Sequence, residues 1–197
     1  MPKVTEEYRE TRRHEIAAAA LRSFARTGFE ATTMADIIAE SGLSAGAIYG
    51  HYKSKNELIQ AVVSDVLGRR TRDVAEAMRA DRLMSPAELI GRFISGMRGE
   101  FGDSRVLVQL WAVAAQDLDV RTLANGVVQQ ITDLFRTYLI AWHTQESRLS
   151  ADDAEALADR QTPVCLGLAQ GYIVQSAIID DFDGEGYLAA ASGLFSD

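Results

Sequence analysis

Apolar residues recur three and four positions apart along nearly the whole 197-residue chain. This rhythm puts side chains on one stripe of a helix and leaves no room for the strict alternation of a half-buried strand. Helix starts and stops punctuate it at regular intervals. Only three prolines interrupt the chain, Pro2, Pro86 and Pro163, and the single Asn-Gly pair, Asn125-Gly126, falls inside a helical stripe rather than between two alternating runs. The chain is expected to be all-α.

The stripes and their punctuation divide it into nine helices. The first covers about residues 6–27, with Ile16, Ala20 and Phe24 on one face and Gly28 as the stop. Thr33 caps a short second helix that ends near Gly42, and Ser44 caps a third from Ala45 to His51. Ser54-Lys55-Asn56-Glu57 forms a capping box for a long fourth helix running toward Met78, with Gly68 as a tolerated weak point. Ser85-Pro86-Ala87-Glu88 opens a fifth that closes at Gly102. Residues 105–116 are apolar nearly all round, which predicts a helix buried on several sides. A long amphipathic helix follows at about 120–146, then one opened by Ser150, in which Pro163 is expected to cause a bend or a division, and a last one through Tyr187, Leu188, Ala191 and Leu194.

The chain has no run of about 18 apolar residues and no apolar leader after its mixed-charge start, so a cytosolic home without a membrane span is expected. The lone cysteine, Cys165, has no partner for an internal disulfide and reads as a small buried hydrophobe. Three histidines far apart (His14, His51, His143) give no metal spacing, so neither metal nor cofactor is expected. Asp180 to Glu185 fails as a calcium loop, because counting from Asp181 leaves no acid at the twelfth position. No nucleophile-base pattern, P-loop or dinucleotide fingerprint is present, which leaves no support for an enzyme.

The net charge of -8 hides an asymmetry. Residues 1–70 carry 10 Lys or Arg against 9 Asp or Glu, and the remainder 10 against 19. The first third is therefore near neutral and is the part able to approach a polyanion. Lys3, Arg9, Arg12 and Arg13 offer a basic N-terminal arm, although interleaved glutamates favour a solvated face.

The stretch from Thr33 to Leu58 carries the function. Two short helices joined by a turn at Gly42 form a helix-turn-helix, with Ile37 and Ile38 packed on Ile48 and the first helix. Its second helix would present its start to a DNA major groove. Ser44, Ala45 and Gly46 are small enough for close approach, and Tyr49, His51 and Tyr52 offer aromatic faces with polar tips. Thr33, Tyr52, Lys53 and Lys55 are then candidates for phosphate contact.

In this stretch the sequence resembles the TetR family of one-component bacterial transcriptional regulators. The recognition-helix pattern of that family is matched by Gly42, Ser44, Gly46, Tyr49, His51, Ser54, Lys55 and Leu58. Leu43 stands where Val is common, Ala47 where a hydroxyl residue is common, and Tyr52 where Phe is usual. The resemblance implies a helix-turn-helix domain at residues 1–55 and a ligand-binding and dimerisation domain at 56–197. It implies a homodimer on a near-palindromic, double-stranded operator, released by a small-molecule effector, with the two reading heads spaced by one or two duplex turns of about 34 Å each. Dimerisation would use the last two helices, where Gly167 and Gly171 give a close-approach face beside the stripe of Tyr187, Leu188, Ala191 and Leu194.

An effector pocket among the fifth to eighth helices would draw on Phe93, Met97, Phe101, Gln109, Trp111, Phe135, Tyr138, Trp142, His143 and Tyr172. Each of these reads individually as core before it reads as a ligand contact. The rival from another class is a helical ligand carrier or enzyme without DNA binding, using His143 or Cys165.

Overall fold

The computed structural model describes residues 6–195. Among these residues every regular element is an α-helix: α1 Glu6–Thr27, α2 Met34–Ser41, α3 Ala45–His51, α4 Lys55–Ala77, α5 Pro86–Phe101, α6 Ser104–Gln116, α7 Leu118–Gln145, α8 Ala151–Ile178 and α9 Gly184–Ser192. Lys3, expected in a basic arm, lies outside the described residues.

The boundaries follow from local chemistry. Thr33, Ser44, Ser54, Ser85, Asp103, Asp117, Ser150 and Asp183 each accept a hydrogen bond from a backbone N–H two or three residues on. Each satisfies a donor that the first turn leaves orphaned, an arrangement worth about 1 kcal/mol per cap. Gly42 ends α2 at φ 67°, a left-handed conformation in which a Cβ is strained. Pro163 does not divide its helix. α8 is continuous from Ala151 to Ile178, and the Thr162 hydroxyl turns back to donate to the Ala158 carbonyl at 2.7 Å.

In the N-terminal head, α1 lies across α2 and the first half of α4. Ile16 and Ala20 of α1, Ile37 of α2, Ile48 of α3 and Leu58 of α4 are fully buried together. At the rim, Arg22 and Arg26 of α1 both donate to Glu40 of α2, at 2.8 and 2.6 Å.

The rest forms the body. α7 and α8 pair along their lengths, α6 is wedged against α5, α7 and α8, and α9 covers α5 and α8. The long α4 belongs to both parts, with Leu58 in the head core and Val66, Leu67 and Val74 in the body core. Charged contacts also join it to α5: Arg69 donates two hydrogen bonds of 2.6 and 2.9 Å to Glu100. Arg70 crosses α5 over Gly96, where any Cβ would overlap its guanidinium, and pairs with Asp73 and Glu100 at 3.2 and 3.5 Å. Among the described residues no helix is long and apolar enough to cross a membrane.

Candidate nucleic-acid interface and internal cavity

The start of α3 is open to solvent. Ser44, Ala45 and Gly46 are exposed, and Tyr49, one turn on, is 43% exposed. Such exposure is unusual for a large aromatic. The opposite face of α3 is anchored by Ile48, which is fully buried. Thr33, at the start of α2, is exposed and is held by a reciprocal cap. Its hydroxyl and its N–H donate to Asp36 at 2.7 and 2.8 Å, and the Asp36 N–H returns a bond of 3.2 Å. The hydroxyl bond, then the backbone bond, hold the Asp36 carboxyl below its ordinary pKa.

Two residues expected at a phosphate backbone are committed inward instead. Tyr52 is only 2% exposed. Its hydroxyl donates to the Arg13 carbonyl at 3.2 Å, and the Arg13 guanidinium lies over its ring at 4.7 Å. The reason is periodicity: Tyr52 is four residues after Ile48 and so shares the core-facing stripe. Burial raises its phenol pKa. Lys55 is the second. Its ammonium donates to the carbonyls of Phe29, Glu30 and Thr32 at 3.0, 3.1 and 3.0 Å and sits 4.9 Å from the Phe29 ring centroid. It closes the α1–α2 loop and uses its three donors there.

Lys53 is exposed and donates to the Tyr49 carbonyl at 2.7 Å, which holds its charge at the end of α3. His51 is half-buried at the same end. Burial first, then the neighbouring charges of Arg13, Arg9 and Arg12, lower its pKa. The first turns of α1 therefore bring cationic charge to the side of α3, a juxtaposition that the interleaved glutamates conceal in the sequence. Arg12 itself is tied to Glu15 and Tyr8.

In the body, a cavity of about 160 Å³ lies between α4, α5, α6, α7 and α8. Of the ten pocket candidates, Phe93, Met97, Phe101 and Trp111 line it. The other six are elsewhere. Phe135 is fully buried and tilts against Phe93 at 5.3 Å. Tyr138 is also fully buried and donates to the Met84 carbonyl at 2.9 Å, with burial pushing its pKa up to about 12. His143 sits 2.6 Å from Gln161 and 3.4 Å from Ser147, and Trp142 packs edge-on against it while lining a separate, open groove. Tyr172 joins Phe182 and Tyr187 in an aromatic cluster.

Gln109 points the other way, toward the head, where its side-chain carbonyl accepts from the Phe29 N–H at 3.2 Å. The aliphatic wall, including Val63 and Leu67 of α4 and Leu123, Val127 and Ile131 of α7, was missed. Those residues are indistinguishable from core by type and spacing. A second gap of about 10 Å³ shares Val63, Phe101, Leu107 and Leu110 with the cavity and reaches Phe24 and Phe29 of the head.

The expected dimer residues also divide. Tyr187, Leu188 and Ala191 are occupied within the chain: the Tyr187 hydroxyl donates to the Leu168 carbonyl at 2.9 Å, Leu188 packs over Gly91, and Ala191 is buried. A Cβ at Gly171 would meet the Tyr187 hydroxyl, so its close approach is to α9 of the same chain. Gly167 and Leu194 remain exposed, as do Val164 and Ile178 on α8. Cys165 is buried, and burial pushes its pKa up to about 12, so the thiolate is absent near neutrality. Among the described residues, no group of three His, Cys, Asp or Glu is placed to hold a metal.

Comparison with known proteins agrees with this geometry. The family described as bacterial regulatory proteins, tetR family, matches residues 16–62, which cover the head core and the whole helix-turn-helix. An HTH-type transcriptional regulator of Bacillus subtilis (strain 168), YfiR, is 44% identical over 62 residues, 32% of this chain and 30% of that protein. The regulator BetI of Rhizobium meliloti (strain 1021) is 29% identical over 180 residues, 89% of this chain and 82% of that protein. The chain spans less than half the length of several curated relatives that it matches, between 30% and 46%. A TetR transcription regulator from Haloarcula marismortui has the same fold, with a TM-score of 0.72 at 18% identity over 94% of this chain and 97% of that one. Over residues 16–62 the chain thus matches the TetR family of bacterial regulatory proteins, and the course of its helices is the fold of a solved TetR regulator.

Proposed function

We propose that the protein is a sequence-specific, DNA-binding transcriptional repressor, acting as a cytoplasmic homodimer on a near-palindromic operator and released by a small molecule. It needs no cofactor and performs no catalysis. One observation carries the reading: α3 is anchored by buried Ile48 while Ser44, Ala45, Gly46 and the exposed side of Tyr49 face solvent. A helix held on one side and stripped to small residues at its start suits insertion into a major groove. Thr33, Lys53 and His51 flank it as phosphate contacts, with cationic charge from α1 alongside.

Dimerisation is assigned to the exposed stripe of α8, where Val164, Gly167 and Ile178 recur at helical spacing, with Leu194 after α9; Ile178 is 72% exposed. Apolar surface of this kind, left uncovered in the chain, favours a self-complementary interface. The route from effector to head runs through α6. That helix supplies Leu107, Leu110 and Trp111 to the cavity and, between them, Gln109 to the Phe29 backbone. Movement of the wall is therefore coupled to the loop that Lys55 ties to the reading helices.

The test is selective DNA retardation at several salt concentrations, with fragments selected from genomic DNA. The wild type binds a preferred sequence, and binding weakens as salt rises. Tyr49→Ala lowers affinity for that sequence by about tenfold or more per head and leaves the melting temperature nearly unchanged. Unaltered selectivity in a folded Tyr49→Ala protein would remove the assignment of α3.

A further inference from the structure

The chemistry of the cavity identifies the class of molecule it takes. Nearly all of its lining side chains are aliphatic or aromatic; the exception is Gln170 of α8, and none of them is ionisable. A charged ligand would lose its hydration with no counter-charge to replace it, a penalty far above what dispersion contacts return. Gln170 lies only partly buried at the wall, and its amide forms no hydrogen bond with another described residue. Its NH2 donors and its carbonyl acceptor are thus left to a guest. The volume of about 160 Å³ sets the size, since an apolar cavity on the order of 150 Å³ stays dry and admits a benzene-sized molecule.

We infer that the effector is a small, uncharged molecule with an aromatic or branched aliphatic body of about six to ten non-hydrogen atoms and at most one hydrogen-bonding group, directed at Gln170. The inference rests on the effector reading given above and goes further by excluding ions of either sign. The guest is seated against Val63 and Leu67 of α4 and against Phe93 and Met97 of α5, the two helices that the Arg69–Glu100 pair clasps from outside the cavity.

Four probes of nearly equal size test this with the full chain at pH 7: toluene, benzyl alcohol, benzoate and benzylammonium, followed by calorimetric titration and thermal melting. Toluene and benzyl alcohol bind and raise the melting temperature, and both ions bind at least tenfold more weakly. Gln170→Leu removes the preference for benzyl alcohol over toluene while toluene binding persists. Ala124→Leu fills the cavity and abolishes binding of both neutral probes; should that variant not fold, the Gln170→Leu comparison decides alone.

Equal binding of either ion, or no binding of either neutral probe, overturns the inference. So does an unchanged alcohol preference in Gln170→Leu. The operator complex is challenged separately with each neutral probe. A probe that binds the protein without releasing DNA leaves the ligand class standing and removes the effector role. An operator complex formed by a protein that takes up no neutral probe overturns the ligand class alone.

Discussion

The head and the body hold their shape by different means. α2 and α3 are only 8 and 7 residues long, too short to persist on their own. They are pinned by individual bonds: the reciprocal Thr33–Asp36 cap, the two arginines on Glu40, the buried Tyr52 hydroxyl, and the three carbonyls gathered by Lys55. The body relies on helices as long as 28 residues packed side by side, and it tolerates a void. At about 24 cal/mol per Å³, a 160 Å³ cavity costs on the order of 4 kcal/mol relative to a filled core. A short element needs every pin, whereas long helices can leave space unfilled, and that difference separates a head held by individual bonds from a body that encloses a cavity.

This contrast predicts graded effects. Tyr52→Ala should destabilise the protein most, by about 3–5 kcal/mol, measured by denaturant unfolding; Tyr52→Phe should lose only about 1 kcal/mol, for the hydroxyl bond alone. A Tyr52→Ala protein of unchanged stability would show that the head does not depend on its pins. Lys55→Met should cost about 1.5–3 kcal/mol. It should leave the salt dependence of operator binding intact, because Lys55 is spent inside the loop. Lys53→Met should instead lower the salt slope by about 1 per head with little change in stability, and the reverse pattern would exchange the two roles.

The smallest effect concerns acid. Hydrogen bonds from Thr33 lower the Asp36 pKa, and those from Arg22 and then Arg26 lower that of Glu40. In the unfolded chain both carboxyls return to ordinary values, so below about pH 4 the unfolded state binds more protons than the folded one. Stability contributed by these groups is present above that range and is lost as pH falls through the lowered folded values. Thr33→Ala should cost about 1 kcal/mol near neutrality and flatten the acid limb of an unfolding profile. An unchanged acid limb would mean that the cap does not hold the head.

The head was largely legible in the sequence because its signals are local. Caps, the left-handed Gly42 and the spacing of Ile37, Ile38 and Ile48 all lie within a few residues of what they determine. Tyr52 and Lys55 were misjudged by residue type, although the four-residue step from Ile48 to Tyr52 already placed that ring inward. The body was legible as helices and opaque as a site. Phe135 and Tyr138 share stripes with true core and prove to be core, while Leu123, Val127 and Ile131, on the same helix, face a space that only the packing of five helices creates. The same holds for α9: nothing local distinguishes a tyrosine bonded to its own α8, as Tyr187 is, from one offered to a second chain.

Gly96 gives the joint between the two parts its mechanical character. The bare backbone there is a notch in α5, and the Arg70 side chain lies in it like a key in a keyway. Sliding α4 along α5 by one turn, about 5.4 Å, would take that arginine out of the notch and away from its pairing with Glu100. Axial travel would therefore cost a seated cation and its ion pair, whereas a small tilt about the notch keeps both.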